Sequence, residues 1–268
     1  MPFARNALDA SRVYFEDEGG DGAAVVLHGG LLDSVDLVRA SHIAQALQGL
    51  PDAFRLIYVD HRGLGQSDKP HDAKAYAMPL RVADAVAVLD ELGIESAHFI
   101  GNSWGARHGF GIGEHAPERV LSLVLGGQQP YAIDPDGPLA RAVTEALAAP
   151  PEAGLEPFVR ALEAFAGARF PDALRARWLD NDPAAIGAAW SAALAEGAIS
   201  EDLGTWEVRC LIYVAAGDVD FHDQARRAAG EITNAEFISL EESDHVGAHL
   251  AQVDPVLPAV LHTLRGTG

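Results

Sequence analysis

The chain has 268 residues, of which 49% are hydrophobic, and a formal net charge of -20 at pH 7. This length fits one large domain or a core with an inserted subdomain, and the hydrophobic content is that of a globular protein. The negative charge disfavours nucleic acid and anionic membranes as partners. A single cysteine, no apolar run near the roughly 20 residues of a membrane span and no evident signal peptide lead us to expect a cytoplasmic protein.

Apolar segments alternate with helical patterns along most of the chain, which predicts βαβ units and a mostly parallel sheet. The predicted strands are Arg12–Phe15, Ala23–Leu27, Phe54–Val59, Ala97–Ile100, Val120–Leu125, Val208–Val214 and Ala235–Leu240. The helices predicted between and after them are Ala40–Leu47, Leu80–Leu92, Trp104–His115, Asp223–Gly230 and Asp254–Leu264.

The alternation stops between Gln128 and Trp206, where the sequence predicts helices only. Asp182 at an N-cap and Pro183 in the first turn mark the start of the last of them. We interpret residues 128–207 as a helical cap inserted into an α/β core formed by residues 1–127 and 208–268. The four predicted cap helices are Pro138–Ala149, Leu155–Ala166, Asp172–Leu179 and Pro183–Leu194.

The most informative motif is Gly-x-Ser-x-Gly at positions 101–105, between a predicted strand and a predicted helix. This context is typical of a nucleophile elbow, a turn so sharp that the serine sits in strained backbone geometry with its hydroxyl exposed. We therefore expect Ser103 to be a nucleophile. In the helix that follows, Gly105, Gly109 and Gly113 recur every four residues, which predicts close approach of one helix face to the sheet.

Two glycine-containing turns follow the strands that precede the elbow. His28-Gly29-Gly30 comes after the strand Ala23–Leu27, where backbone N–H groups are placed to bind an oxyanion. We assign the two expected donors to Gly30 and Trp104, the residue after the nucleophile. The run from Asp60 to Ser67 is interpreted as structural support.

The remaining catalytic candidates follow the last two strands. Asp218 and Asp220 stand in a turn after the strand Val208–Val214, and either carboxylate could orient a histidine. His245, with His249 as a competitor, lies after the last strand and could reach Ser103. The chain order Ser, Asp, His is that of a nucleophile-elbow hydrolase.

Together these motifs resemble the α/β-hydrolase superfamily over residues 13–264. In such proteins the acid usually stands three residues after the glycine at position 217, which favours Asp220 over Asp218. The resemblance implies acyl transfer to water by Ser103, His245 and Asp220, with no metal or organic cofactor.

Within the superfamily, Ser103-Trp104-Gly105 and the Pro-Glu-Arg-Val run at positions 117–120 look like the proline iminopeptidase group. That group's turn normally continues with Pro-Gly where this chain has Leu31-Leu32, and this departure argues against a peptidase. The general pattern is also similar to carboxylesterases and acyl-homoserine lactonases with helical caps.

We therefore expect a serine hydrolase of small, mostly uncharged esters or lactones, as a monomer or homodimer, with a small molecule as its partner. The alternatives are an iminopeptidase-like enzyme and, in a different class, a non-catalytic ligand-binding sensor that keeps the fold. The residues expected to line the substrate pocket are Leu31, Phe158, Phe165, Trp178 and Trp190.

Overall fold

A computed structural model describes residues 2–50, 53–241 and 255–266. Its centre is an eight-stranded sheet with the strand order β1-β2-β4-β3-β5-β6-β7-β8. β2 pairs antiparallel with β1 and β4, and all other neighbours are parallel. The strands are β1 (Phe3–Arg5), β2 (Arg12–Asp17), β3 (Ala23–His28), β4 (Phe54–Val59), β5 (Ala97–Asn102), β6 (Val120–Gly126), β7 (Arg209–Ala215) and β8 (Ala235–Leu240).

Helices cover both faces of the sheet, which explains why its central strands are continuous apolar runs. On one face, α3, α4 and α9 pack into a large apolar core, and on the other, α1, α2 and α10 close a second one. These helices are α1 (Val35–Arg39), α2 (His42–Gln48), α3 (Met78–Glu91), α4 (Trp104–His115), α9 (His222–Glu231) and α10 (Leu257–Arg265).

Four helices lie between β6 and β7, and we refer to residues 128–207 as the cap. These helices are α5 (Pro138–Leu147), α6 (Glu156–Ala166), α7 (Asp172–Leu179) and α8 (Pro183–Ala195). The N-cap expected for α8 is present, because the Asp182 carboxylate accepts hydrogen bonds from the backbone N–H groups of Ala184 and Ala185. Asp182 thereby satisfies two of the four N–H groups that a helix start leaves unpaired.

The α/β fold class predicted from the alternation is confirmed; one strand was not predicted, and the start of one predicted helix is corrected. The first strand, β1, is only three residues long, too short to show a periodic pattern in the sequence. The helix expected over Ala40–Leu47 is α2 and starts two residues later than predicted, because Ser41 has extended backbone and its hydroxyl accepts from the Ala44 N–H. The short helix α1 before it was not predicted.

The loop expected to be structural is held by the buried carboxylate of Asp60. Its Oδ1 accepts from the Val35 N–H at 2.7 Å and its Oδ2 from the Gln66 N–H at 2.8 Å. Gly65 has a φ of +48°, and a Cβ there would collide with the Asp60 carboxylate. The tight turn therefore requires glycine and serves to join α1 to the end of β4.

The close approach predicted for α4 is observed along its glycine face. A Cβ on Gly105 would lie 2.5 Å from the His28 carbonyl oxygen, and one on Gly109 would lie 2.3 Å from a methyl group of Leu125. At Gly113 the nearest atom would be on the Trp206 ring, at 2.7 Å. The helix thus lies against the sheet at a distance that no larger side chain permits at these positions. Among the residues that the structure describes, no helix is both long and apolar enough to cross a membrane.

Replacement of Gly105 by alanine tests this close packing. The new methyl group would meet backbone atoms of β3, which cannot rotate away, so we expect Gly105→Ala to lower the free energy of unfolding by about 2–3 kcal/mol or more. The matched control is Gly187→Ala in α8, where a Cβ would have no atom within 4 Å of it. We expect that variant to gain up to about 1 kcal/mol from helix propensity. Urea unfolding of both variants measures the difference, and equal stability would contradict the packing argument.

Candidate active site

Ser103 sits at the junction of β5 and α4 with φ = 50° and ψ = -111°. Among the described residues, Ala10 is the other non-glycine residue with a positive φ. Such backbone geometry costs free energy and persists only where the surroundings enforce it. Here the Ser103 N–H donates to the Gly126 carbonyl oxygen of β6 at 2.7 Å, which fixes the turn against the neighbouring strand.

The flanking glycines of the motif are a steric requirement of this turn. A Cβ on Gly101 would lie 2.3 Å from the carbonyl carbon of Gly105, so the two arms of the elbow touch. The Gly105 N–H donates to the Gly29 carbonyl oxygen at 2.9 Å, which joins α4 to the turn after β3. The nucleophile and the expected oxyanion turn are therefore held in one backbone network.

A cavity of about 80 Å³ lies beside Ser103 and Trp104. The cap supplies most of its wall, and the residues that line it from α5 to α8 are apolar or tryptophan. From the core side it is lined by Gly30, Leu31, Leu32, Asp33, Ser103, Trp104 and Phe221, and from the cap by Gln128, Ile133, Leu139, Val143, Phe158, Leu162, Trp178 and Trp190.

Four of the five expected pocket residues, Leu31, Phe158, Trp178 and Trp190, line this cavity. Phe165 does not line it, because it is half-buried on α6 and packs against the apolar core of the cap. Helical spacing alone does not distinguish an aromatic ring that faces the sheet from one that packs between cap helices.

Gly30 lines the cavity, but its N–H already has an acceptor. It donates to the Oδ2 atom of Asp33 at 2.9 Å, while the Oδ1 atom of the same carboxylate accepts from the Trp178 indole N–H at 2.9 Å. Asp33 is only 3% exposed. This buried carboxylate, which sequence reasoning missed, joins the turn after β3 to α7 of the cap.

Trp104, the other expected oxyanion donor, is the first residue of α4. The N–H groups of a helix's first turn have no acceptor within the helix and point toward its N-terminal end. The Trp104 side chain is held by Arg81, whose guanidinium stacks 4.9 Å from the centre of the indole ring. Arg81 and Arg107 in turn share the Glu196 carboxylate just after α8, at 2.6 and 2.9 Å.

The turn after β7 reaches both the cavity and the cap. Phe221 lines the cavity, and its neighbour Asp220 accepts a hydrogen bond from the Leu139 N–H at 2.7 Å, in the first turn of α5. Asp218 is 4% exposed, and its carbonyl oxygen accepts from the N–H groups of Phe221 and His222. The expected base His245 and its competitor His249 lie outside the described residues.

Three buried histidines, His28, His61 and His108, form a cluster behind the elbow. The His108 ring contacts those of His28 and His61, with centroids 5.6 and 5.2 Å away, and it also contacts the Trp104 ring. Burial lowers the pKa of His28 to about 3 and that of His61 to about 4, and it holds the pKa of His108 well below its usual value. All three are therefore neutral at pH 7.

The cap glutamates that could bind a substrate amine lie away from the cavity. Glu156 and Glu163 both pair with Arg175 inside the cap, and Glu145 faces Arg141 on an exposed surface of α5. These ion pairs join neighbouring parts of the cap to one another and place the three carboxylates away from the cavity wall.

Comparison with known proteins agrees with this architecture. The family model for the alpha/beta hydrolase fold matches residues 23–198, and the chain belongs to this family. It is 33% identical over 134 residues to the proline iminopeptidase of Neisseria gonorrhoeae, covering 47% of this chain and 41% of that enzyme. Curated relatives at 30% identity or more, such as this one, are matched over less than half of their length.

Solved structures match over nearly the whole chain. The enol-lactonase from Burkholderia xenovorans LB400 aligns with a TM-score of 0.76 and 20% identity, covering 99% of this chain and 100% of that one. The esterase EaEST from Exiguobacterium antarcticum aligns with a TM-score of 0.79 and 22% identity, at 99% and 100% coverage. At this identity the likeness shows the fold.

Because three histidines are buried in the neutral form, we expect the stability of the folded protein to fall at acidic pH. Unfolded chains protonate histidine below about pH 6.5, whereas the folded protein keeps these rings neutral, so the free energy of unfolding falls as the pH drops from 7 to 5. The loss is at most about 1.4 kcal/mol per pH unit for each ring. Urea unfolding at pH 7, 6 and 5 measures it. A His108→Phe variant should show a shallower pH dependence, and a wild-type stability that does not change between pH 7 and 5 would contradict the prediction.

Proposed function

We propose that this protein is a serine hydrolase that cleaves small, mostly uncharged carboxylic esters or lactones through an acyl-enzyme on Ser103. The observation that carries the proposal is the position of Ser103, held at positive φ on the edge of a cavity that cap side chains make apolar. An apolar wall desolvates an uncharged acyl group at little cost. The cavity, about 80 Å³, is smaller than the engineered cavity of about 150 Å³ that binds benzene, which favours short acyl groups.

In the proposed reaction, His245 takes the proton from the Ser103 hydroxyl as Oγ attacks the carbonyl carbon. The tetrahedral intermediate collapses, the C–O bond to the alcohol breaks, and the alcohol oxygen takes the proton from His245. Water then attacks the carbonyl carbon of the acyl-enzyme as the same histidine takes a proton from it. The bond from that carbon to Ser103 Oγ breaks, Oγ receives the proton from the histidine, and the acid leaves. Asp220 holds the imidazole in the productive tautomer and stabilises its protonated form.

We assign the developing oxyanion to the N–H groups of Trp104 and Gly30. Each donor of this kind contributes roughly 3–4 kcal/mol to transition-state stabilisation. For Gly30 to serve, the oxyanion must replace the Asp33 carboxylate as the acceptor of its N–H. The Asp33 side chain must therefore turn away from Gly30 when substrate binds.

A proline iminopeptidase-like activity is the second candidate, and Asp33 is the observation that favours it. A carboxylate at the wall of an otherwise apolar cavity is the group that would bind the ammonium of an N-terminal residue. The turn that carries it has Leu31-Leu32 in place of that group's Pro-Gly, and the cap glutamates pair with arginines. Because of these features, hydrolysis of esters or lactones is better supported than a peptidase activity.

The function is tested by labelling and by a substrate panel. A fluorophosphonate probe should label the wild type and not Ser103→Ala, and p-nitrophenyl butyrate should be turned over steadily. Acyl-homoserine lactones and proline p-nitroanilide are assayed in the same panel to distinguish an esterase or lactonase from a peptidase. We expect the esters or lactones to be hydrolysed faster than the anilide. Faster hydrolysis of the proline anilide would favour the peptidase, and labelling without turnover of any substrate would favour a non-catalytic binding protein.

The identity of the acid is a separate prediction. We expect Asp220→Asn to lower kcat for p-nitrophenyl butyrate by roughly 10³–10⁴-fold, because the asparagine leaves the histidine in the wrong tautomer. Its side-chain oxygen can still accept from the Leu139 N–H, so the cap contact is retained and the loss reports on catalysis. Asp218→Asn is the matched control, since it changes the neighbouring carboxylate of the same turn. Loss of activity in Asp218→Asn with near wild-type turnover in Asp220→Asn would reverse the assignment.

A further inference from the structure

Gln128 is a buried polar side chain on the wall of the cavity beside Ser103. It follows β6 by two residues and is 4% exposed. Its Oε1 atom accepts a hydrogen bond from the N–H of Gln129 at 3.0 Å. Because only the oxygen can accept from an N–H group, this contact fixes which end of the amide is which.

The amide nitrogen of Gln128 has no such contact. Among the residues that the structure describes, none accepts a hydrogen bond from its Nε2 atom, although an amide group carries two donor hydrogens. This atom is not one of the fully buried polar atoms of the described residues that lack a partner, so it keeps some accessible surface at which an acceptor can bind. The unpaired end of Gln128 belongs to a residue that lines the cavity.

Two of the three indole N–H groups in the cavity wall are satisfied, and the third, that of Trp104, is buried away from accessible space without a partner in the described part of the chain. The indole N–H of Trp178 donates to Asp33, and that of Trp190 donates to the Thr144 hydroxyl at 2.9 Å. The rest of the wall is apolar apart from Ser103 itself and the Asp33 carboxylate. An oxygen atom that enters this cavity therefore meets one side-chain amide donor that has no competing acceptor among the described residues.

We propose that Gln128 is a specificity-determining residue that donates from Nε2 to an acceptor oxygen of the acyl group. The preferred substrates are then esters or lactones whose acyl part carries an ether, keto or hydroxyl oxygen close to the scissile carbonyl. The small volume of the cavity keeps that oxygen near Ser103. The inference rests on the proposed hydrolytic function and names its substrate class.

The preference for an oxygen-containing acyl group follows from whether the acyl group offers an acceptor to the Gln128 amide. A purely aliphatic chain fills the cavity but leaves the Nε2 hydrogens unpaired and excluded from water. An acyl group with an oxygen at the right place pairs one of them, and binding sites built around such a donor discriminate strongly against analogues without the acceptor. The discrimination expected of one neutral hydrogen bond is about 5- to 30-fold.

Two pairs of matched esters measure this preference. p-Nitrophenyl methoxyacetate differs from p-nitrophenyl butyrate by one ether oxygen in place of a methylene group, and p-nitrophenyl 3-methoxypropionate differs from the pentanoate in the same way. The quantity compared is the ratio of kcat/KM within each pair, for wild type and variant. Because the intrinsic reactivity of each ester is the same with both enzymes, it cancels in this comparison.

Gln128→Glu is the sharpest variant, since it keeps the oxygen that accepts from Gln129 and removes both donor hydrogens. We expect it to reduce the ether-to-alkyl ratio by about 5- to 30-fold in at least one pair. Gln128→Leu should do the same without introducing a charge. Ser191→Ala is the control, because Ser191 is an exposed polar residue of α8 that does not line the cavity, and its ratios should stay at the wild-type values.

The outcomes separate this inference from the proposed function. If both esters of each pair are turned over and the ratios are unchanged in Gln128→Glu and Gln128→Leu, the role of Gln128 is overturned. The proposed hydrolytic function would still stand. If no ester is turned over, the hydrolase proposal fails, and binding of methyl methoxyacetate and methyl butyrate to Ser103→Ala, followed by ligand-detected NMR, tests Gln128 independently. The role is supported if Ser103→Ala binds methyl methoxyacetate more tightly than methyl butyrate and Ser103→Ala/Gln128→Glu does not. It is overturned if Ser103→Ala binds the two esters equally.

Discussion

The close contact between the first turn of α4 and the end of β3 is the constraint on which the candidate site depends. Gly101 and Gly105 have no side chains, so the backbone of the elbow can fold onto itself and onto the His28 carbonyl group. This contact forces Ser103 to positive φ and brings the N-terminus of α4 beside the Gly29-Gly30 turn. A nucleophile, a helix N-terminus and a second backbone turn thus meet at one point. None of the three would be in place if the helix lay further from the sheet.

The cap is attached to this arrangement through buried polar contacts rather than through apolar packing alone. Asp33 binds Trp178 of α7, Glu196 binds Arg81 and Arg107, and Asp220 accepts from the first turn of α5. Three of the core partners belong to the candidate site or touch it: Asp33 accepts from Gly30, Arg81 stacks on Trp104, and Asp220 is the candidate acid. Breaking one side of a buried ion pair costs far more than losing an exposed one, so these ties fix the cap over the cavity. The cavity's shape therefore depends on the same side chains that position the elbow.

The sequence predicts the elements that depend on local patterns, and it fails where tertiary contacts decide. The strand Phe54–Val59 and the helix Trp104–His115 have the predicted bounds, because an apolar run or a Gly/Pro boundary marks each of their ends. The start of α2 was predicted two residues too early, because a serine can stand inside a helix as well as at its N-cap and the sequence does not separate the two. The contact of Asp33 with Trp178 joins residues 145 positions apart, and no spacing in the sequence indicates such a pair. Gln128 was missed for the same reason, since the position of an amide on the wall of a cavity is visible only in three dimensions.

Asp33 links the position of the cap to the chemistry proposed for Ser103. Its two carboxylate oxygens hold the Gly30 N–H and the Trp178 indole N–H at the same time. An ionised carboxylate in this position and a developing oxyanion would compete for the same donor, and their charges repel at short range. If Gly30 is the second oxyanion donor, the carboxylate must rotate away from it, and that rotation also strains or breaks the contact with α7. Completion of the oxyanion hole and the placement of the cap would then be controlled by a single side chain.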